Sequence, residues 1–218
     1  MFYEQLFAMS FSYDTTNSIF FKIIFCALKI SHQKESDMSS TKAPTRHHPA
    51  LVTLHWLVFI LIFALSVSGT YAAGLANDDP AKRSILILHL PFGSTTFFLL
   101  IASLVVHLRT PRPAYASTGN SILDTIGKIT HVALFVLALL TSMSGMFLSI
   151  RSGLMPTIFL NASAALPADF FIFIERIFHG YVSKALFFLV LLHIGAALYH
   201  QVWLKDNLFS RMGYGKNS

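Results

Sequence analysis

Four long runs of apolar residues, separated by short polar segments, dominate the pattern of this chain. Each run has about 20 residues or more, the length that a helix needs to cross a hydrocarbon core of about 30 Å. No stretch alternates strictly between apolar and polar residues, as the strands of a membrane barrel do. The pattern therefore predicts an all-α integral membrane protein built as a four-helix bundle. The predicted spans are Leu51–Ala73, Ile85–Leu108, Ile129–Ile150 and Phe178–Tyr199.

Composition agrees with a membrane protein, because 54% of the residues are hydrophobic and only 12% are charged. The formal net charge is +6. In a membrane protein we assign such an excess to loops that face the cytoplasm rather than to binding of nucleic acid. The expected partner is membrane lipid. Cys26 is the only cysteine. It excludes an internal disulfide, an iron–sulfur cluster with four cysteine ligands and a haem attached through a CxxCH motif.

Residues 1–48 are predicted to form an N-terminal extension, disordered or interfacial, ahead of one membrane domain over residues 49–218. Within the extension, residues 18–30 are apolar but too short to span a bilayer comfortably, and Lys22 and Lys29 interrupt them. Three interpretations stay open. The segment is an interfacial amphipathic helix, or a signal-like stretch, or translation starts at Met38 and residues 1–37 are absent from the native protein.

Lysine and arginine residues in the loops indicate the orientation of the bundle, because cytoplasmic loops are enriched in both. They are in excess in the tail before the first span, in the loop between spans two and three, and at the C-terminus. The two loops on the other side balance their basic residues with acidic ones. Both termini are therefore predicted to be cytoplasmic, and the fourth span runs from outside to inside.

Histidines recur inside the spans, where ionisable groups are costly and usually mark function. In the fourth span, His179 and His193 are separated by about four helical turns, or about 21 Å, and lie nearly on one face. The predicted topology places His55 at the inner level of His193, and His89 at the outer level of His179. Neutral imidazole is a common axial ligand of haem iron. Two opposed pairs at matched depths therefore predict two b-type haems, one near each leaflet, with these four histidines as iron ligands.

Each histidine also has a simpler interpretation, since a lone imidazole in a membrane helix can bond to a neighbouring helix. The set of four is more specific, because the two pairs agree in depth under a topology that other residues define. His107 and His131, at the inner boundary, are interpreted as interface residues rather than ligands.

Two further residues are assigned cofactor contacts. His200 follows His193 by about two turns on the same stripe. We expect it to contact a quinone or a haem propionate. As alternatives, it replaces His193 as a ligand, or it is a solvated residue at the helix end. Lys184 is assigned to a propionate of the outer haem, with an amine that reaches interface water as the alternative. Four glycines leave room either for a flat ring or for a close helix contact: Gly69, Gly93, Gly145 and Gly195.

These residues resemble the bacterial cytochrome b561 family of the inner membrane, over about residues 46–215. The likeness rests on His55-Trp56 at the start of span one, His89 with Gly93 four residues later, His179 and His193 fourteen residues apart, and the ending WLKDNLFSRM at Trp203–Met212. The resemblance implies two b haems, each held by two histidines. It also implies electron exchange with the quinone pool, with ubiquinone as a substrate or bound cofactor. Some members oxidise superoxide at the outer face.

The predicted function is therefore that of a membrane b-type cytochrome, an oxidoreductase of a respiratory chain. It would carry electrons between an outer-face donor, superoxide or a redox partner protein, and the quinone pool, in a direction that the sequence leaves open. The quinone is expected near His200, Lys205 or Asp206, and no catalytic residue is assigned. The alternatives are an electron-transfer subunit of a membrane dehydrogenase or hydrogenase, and a haem-free small membrane transporter.

The outer loops supply the candidate contacts for a donor. Residues 151–177 form the longest outer segment, which is expected to cover the site or meet a partner. Basic residues in these loops would steer superoxide through a positive surface, or they are ordinary loop charges. They are Lys82, Arg83, Arg151 and Arg176.

Overall fold

The structure is a computed structural model that describes residues 44–115, 117–161, 164–206 and 208–213. Residues 1–43, which carry the three interpretations of the N-terminal extension, lie outside the described residues. The division between an extension and a membrane domain at residues 48 and 49 stays a prediction.

Four long helices account for most of the described chain, and they confirm the all-α fold. They are α1 (Pro49–Gly74), α2 (Pro80–Arg109), α3 (Ser121–Arg151) and α5 (Ile174–Tyr199). Each is long and apolar enough to cross a membrane, and no strand occurs in the part of the chain that the structure describes. The shorter elements are α4 (Leu154–Phe159), a π-helical turn (His200–Leu204) and α6 (Leu208–Arg211).

The helices extend beyond the apolar runs because polar residues cap them. Helix α2 begins at Pro80 rather than Ile85, where the Asp79 carboxylate accepts a hydrogen bond from the backbone N–H of Ala81 at 2.8 Å. Helix α3 begins at Ser121 rather than Ile129, behind an Asn120 side chain that caps it. A side-chain acceptor before the first turn satisfies backbone donors that have no partner within the helix. Hydrophobicity therefore marks the membrane segment, and the cap marks the helix start.

Neighbouring helices pack in sequence order around the bundle. Helix α1 lies along α2, α2 along α3, and α3 along α5, whereas α1 and α5 approach each other over only a few residues. The buried centre consists of Leu100, Ala138, Leu139, Leu186 and Val190. Following the predicted orientation, we call the end that carries Pro49 and Leu204 the inner end, and the opposite end the outer end.

The outer surface of the bundle is apolar along its length. Ile60, Phe98 and Leu192 are 60%, 63% and 68% exposed and lie on three different helices. Monomeric soluble proteins rarely expose continuous apolar patches of this kind, whereas lipid solvates them without cost. The pattern of exposure therefore agrees with helices that face hydrocarbon, as expected from the sequence.

Two cations of α2 hold the outer loops in place. The Arg83 guanidinium donates hydrogen bonds to the backbone carbonyls of Ala164 at 2.8 Å, of Asn161 at 3.0 Å and of Thr157. The Lys82 amine donates to the carbonyl of Leu75 at 2.9 Å. Both side chains therefore bond to loop carbonyls. This supports the interpretation of Lys82 and Arg83 as ordinary loop charges rather than as residues that steer an electron donor.

The outer segment also packs on α2 through an apolar cluster. Leu154, Ile158 and Phe170 are buried together against Leu86 and Leu90. The last two flank His89 along the helix, so the segment after α3 covers the outer end of the bundle next to that histidine.

The inner end is closed by contacts between three segments that are distant in sequence. The backbone N–H of His47 donates to the carbonyl of Arg211 at 3.2 Å, and the Trp56 indole donates to the carbonyl of Met212 at 3.1 Å. The Arg211 guanidinium in turn donates to the carbonyl of Ala114 at 3.0 Å. Burial lowers the pKa of His47, as do the nearby His131, Arg112 and Arg211. The C-terminal segment therefore ties the start of α1 to the loop after α2.

We predict that Arg83→Ala loosens the outer loop without disturbing the bundle. Hydrogen bonds to charged groups are worth about 1.5–3 kcal/mol each, so losing this set should ease local opening by at least about 2 kcal/mol. The amide hydrogens of Leu160 and Asn161 should then exchange roughly 30-fold faster. The control is Arg109→Ala, which removes an exposed arginine at the other end of the same helix. Equal exchange rates in the two variants would contradict the anchoring role.

Candidate functional site

Four histidines form two facing pairs, one toward each end of the bundle. His89 of α2 faces His179 of α5, with ring centres 6.4 Å apart and an angle of 79° between the ring planes. His55 of α1 faces His193 of α5 at the same 6.4 Å, with an angle of 65°. The structure therefore brings together the partners that the depth argument predicted.

In the outer pair, the His179 ring has a defined tautomer. Its Nδ1 lies 3.0 Å from the backbone carbonyl of Thr141 and 3.2 Å from the Ser144 hydroxyl. A carbonyl oxygen only accepts hydrogen bonds, so Nδ1 carries the proton and Nε2 keeps its lone pair. A histidine that binds a metal through Nε2 typically has its other nitrogen held in this way.

The His89 ring has an equivalent support on α1. Its Nδ1 lies 3.3 Å from the Ser68 hydroxyl, which itself donates to the carbonyl of Leu65 at 3.3 Å. Because the hydroxyl proton is engaged with that carbonyl, the serine oxygen accepts from Nδ1. The Nε2 lone pair of His89 is therefore also left available.

The inner pair has a different environment. Trp56 lies edge-on to His55 at 5.5 Å, and His131 of α3 lies edge-on to His193 at 5.1 Å. No hydrogen bond joins either ring of this pair to another residue in the described ranges. The Nδ1 of His131 donates to the carbonyl of Gly127 at 2.9 Å, so the free nitrogen of His131 is Nε2.

Comparison with known proteins assigns the chain to a family. A family model described as prokaryotic cytochrome b561 matches residues 46–215. The chain belongs to the prokaryotic cytochrome b561 family. A relative from Escherichia coli (strain K12), "Cytochrome b561 homolog 2", is 24% identical over 188 residues, which cover 83% of this chain and 97% of that protein. Membership confirms the resemblance, and it implies a bacterial membrane protein that binds haem b and transfers electrons.

The spacing of both histidine pairs fits a haem iron between them. For metal–imidazole bonds of about 2.0–2.1 Å, and about 1.2 Å from each nitrogen to its ring centre, two opposed ligands hold their ring centres about 6.4–6.6 Å apart. Both pairs of this cytochrome b561 family member, at 6.4 Å, lie within that range. The separation of 5.1 Å between His131 and His193 is too short for the same arrangement.

Other features near the pairs also fit a flat cofactor. A side-chain carbon added at Gly93 or Gly195 would meet no atom within 4 Å, so the backbone is open at both positions. Among the described residues, the buried side-chain oxygens without a hydrogen-bond partner are in Thr141, Ser149 and Glu175, all toward the outer end. Buried polar atoms normally have a hydrogen-bond partner. A molecule bound at the outer end would provide partners for these three oxygens.

The other residues assigned by sequence are placed away from these rings. His200 opens the π-helical turn, and its Nδ1 lies 2.6 Å from the Asp206 carboxylate. It therefore pairs with an acid at the inner boundary, while His193 is the residue that faces His55. Lys184 is exposed on α5, about 140° around the helix from His179. Its contact with a propionate stays a prediction. His107 accepts a hydrogen bond from Arg112 at 2.9 Å, in agreement with an interface role.

Sequence reasoning missed the residues that support the outer pair. Ser68 and Ser144 each stand directly before a glycine, in the matching segments SVSG of α1 and SMSG of α3. The repeat was visible, but only the rotation of each helix shows that these residues face a histidine. His131 was likewise placed at the correct level, without the contact to His193 that the structure shows.

We predict that His131→Ala keeps the haem-to-protein ratio of the wild type, because His131 lies too close to His193 for an iron to fit between them. The matched control is His193→Ala, which should lower the ratio. Absorbance of the pyridine haemochrome measures both. A loss of haem in His131→Ala comparable to that in His193→Ala would make His131 a ligand and contradict this interpretation.

Proposed function

We propose that this protein carries electrons across the membrane by means of two b haems, between a donor at the outer face and the quinone pool. The observation that carries the proposal is the pair of histidine couples at equal ring separation, one toward each end of the bundle. His89 and His179 would hold the outer haem, and His55 and His193 the inner one. When bound, haem b supplies reversible one-electron exchange between its ferric and ferrous states.

The helix packing supports this assignment. The two members of each pair come from helices that are not packed closely together, since α1 and α5 meet over few residues. A flat group needs such a gap, whereas the well-packed pairs α1 with α2 and α3 with α5 have none. The buried centre around Leu139 and Val190 lies between the two levels. It would hold the two sites apart and exclude water from the space between them.

The inner end offers a setting for a quinone headgroup. His200 begins a π-helical turn, a form that is frequent at functional sites. The residue after the turn, Lys205, has a φ of 51°, which is uncommon for a residue with a side chain. The His200 and Asp206 pair, at 2.6 Å, combines a hydrogen-bond donor and an acceptor beside this turn. We propose that it binds the quinone and delivers protons, since reduction to a quinol consumes two electrons and two protons.

Superoxide is the proposed outer donor, and it becomes dioxygen on giving up one electron. The positive charge that attracts it to the outer end would come mainly from Arg151, whose side chain is 64% exposed. Glu175, at 3.7 Å, forms a long ion pair with it and offsets part of that charge. Lys82 and Arg83 are engaged with loop carbonyls and contribute less to such a surface.

A second candidate function is that of the cytochrome b subunit in a membrane dehydrogenase or hydrogenase. The outer segment favours it, because Leu160 and Ile172 are 85% and 73% exposed there. Such side chains at the end of a bundle fit contact with a partner protein or with the lipid interface. The third interpretation, a haem-free transporter, receives no support from family membership, which implies haem b.

We predict two haems per chain in the purified protein. Alanine at any one of His55, His89, His179 or His193 should reduce the ratio to about one, because loss of one axial ligand leaves the other pair intact. His107→Ala is the control and should retain both, since His107 pairs with Arg112. A wild-type ratio near one, or full retention in the four variants, would rule out the double-haem site.

We also predict that the protein in liposomes reduces a soluble ubiquinone analogue when superoxide is generated outside. Superoxide dismutase should abolish the reaction, and His179→Ala should lose it, because the outer site would be incomplete. Failure of the wild type, together with co-purification of a large redox subunit from the native membrane, would favour the second candidate function instead.

A further inference from the structure

The outer pair is supported by a repeated device. The segments Ser66–Gly69 of α1 and Ser142–Gly145 of α3 read SVSG and SMSG. In each, the last two residues lie against a predicted ligand on a neighbouring long helix: Ser68 and Gly69 against His89, and Ser144 and Gly145 against His179. Two helices that pack on different neighbours therefore use the same two residue types for the same purpose.

The glycines allow the rings to lie against the backbone. A side-chain carbon at Gly69 would be 2.9 Å from Cε1 of His89, and one at Gly145 would be 3.0 Å from Cε1 of His179. Real Cβ atoms essentially never come as close as the contact at Gly69, and the contact at Gly145 is tighter than most, so a larger residue at either position would force the imidazole to shift. The absence of a side chain at Gly69 and Gly145 thus leaves each imidazole room to lie against the neighbouring helix.

The serines act on the charge distribution of the rings. Each hydroxyl lies at the Nδ1 of its histidine, at 3.3 Å for Ser68 and 3.2 Å for Ser144. A hydrogen bond from Nδ1 makes the opposite nitrogen a stronger electron donor to a metal. Stronger donation stabilises ferric iron more than ferrous iron and so lowers the reduction potential. The inner pair has no hydrogen bond to a residue in the described ranges, so the two levels differ in this respect.

We propose that these two Ser-Gly pairs are positioning residues that fix the outer axial imidazoles and make the outer haem harder to reduce than the inner haem. The inference rests on the proposed double-haem function and adds a direction to it. An outer site of lower potential favours electron flow from the outer face to the inner face. The device belongs to α1 and α3, which supply the Ser-Gly pairs but no ligand of the outer pair.

Ser68→Ala is the decisive variant. Ser68 is the partner that the structure gives to Nδ1 of His89, whereas His179 keeps the carbonyl of Thr141 even without Ser144. We therefore expect Ser68→Ala to shift the outer haem about tenfold toward the reduced form, which is about 59 mV upward for a one-electron couple. Ser144→Ala should shift it in the same direction but less. The inner haem should keep its potential in both variants.

The chain provides matched controls in the same segments. Ser142 donates to the carbonyl of Ala138 in its own helix, and Ser66 lies about 200° around α1 from Ser68. Ser66→Ala and Ser142→Ala should leave both potentials unchanged. Ser68→Thr restores a hydroxyl and should return the outer potential toward the wild-type value. Spectroelectrochemical titration of the purified protein measures all of these values without an enzymatic assay.

The glycines are tested by electron paramagnetic resonance of the oxidised protein. Gly69→Ala and Gly145→Ala should change the low-spin signal of the outer haem, or lower its content, while the inner signal remains. Gly127→Ala is the control on α3, since a side-chain carbon there meets nothing within 4 Å. If haem is present at two per chain but Ser68→Ala titrates like Ser66→Ala, the positioning role is wrong and the double-haem function stands. If the wild type binds no more than one haem, the underlying function fails instead.

Discussion

An imidazole nitrogen inside a membrane is costly when it has no partner, because no water is present to satisfy it. In the outer pair the structure meets half of this requirement with protein: Thr141 and Ser144 hold Nδ1 of His179, and Ser68 holds Nδ1 of His89. Among the described residues, the Nε2 atoms of His89 and His179 have no such partner, and the centres of the two rings lie 6.4 Å apart. That distance is too long for a direct hydrogen bond along the ring axes, and it suits a metal between them. The need to satisfy both nitrogens therefore connects the helix packing to the proposed cofactor.

The packing of the bundle is compatible with a cofactor between the facing rings. Helices α1 with α2, and α3 with α5, form two closely packed halves, and the contacts between α1 and α5 are few. Each histidine pair takes one member from each half. Small residues permit this arrangement, because Gly69 and Gly145 let the ring of the neighbouring helix lie against the backbone. Small residues thus lie beside the histidine rings, while exposed side chains such as Phe98 and Leu192 face outward.

The four spans and the facing of His55 with His193 and of His89 with His179 were predictable, because hydrophobic length and loop charge indicate which helix ends lie together. Which end faces the cytoplasm stays a prediction. Rotation about each helix axis is not contained in that information. For this reason His131 was placed at the right level without its contact to His193, and the roles of Ser68 and Ser144 were missed. The loop contacts of Lys82 and Arg83 were also not predictable, since the backbone carbonyls that they bond to are brought close only when the outer segment has folded. Helix starts depended on caps such as Asp79 rather than on hydrophobicity.

The two ends of the bundle differ in ways that bear on direction. At the outer end, polar atoms of α1 and α3 hold the facing rings and the loop segment packs beside His89. At the inner end, the rings contact aromatic and imidazole edges, and a histidine–aspartate pair lies next to a π-helical turn. A site meant for one-electron exchange needs a fixed geometry and little proton traffic, whereas quinone reduction needs groups that can supply protons. Under the proposed function, the outer end would take the first role and the inner end the second. With two haems in place as proposed, this asymmetry would favour electron transfer from the outer end to the inner end.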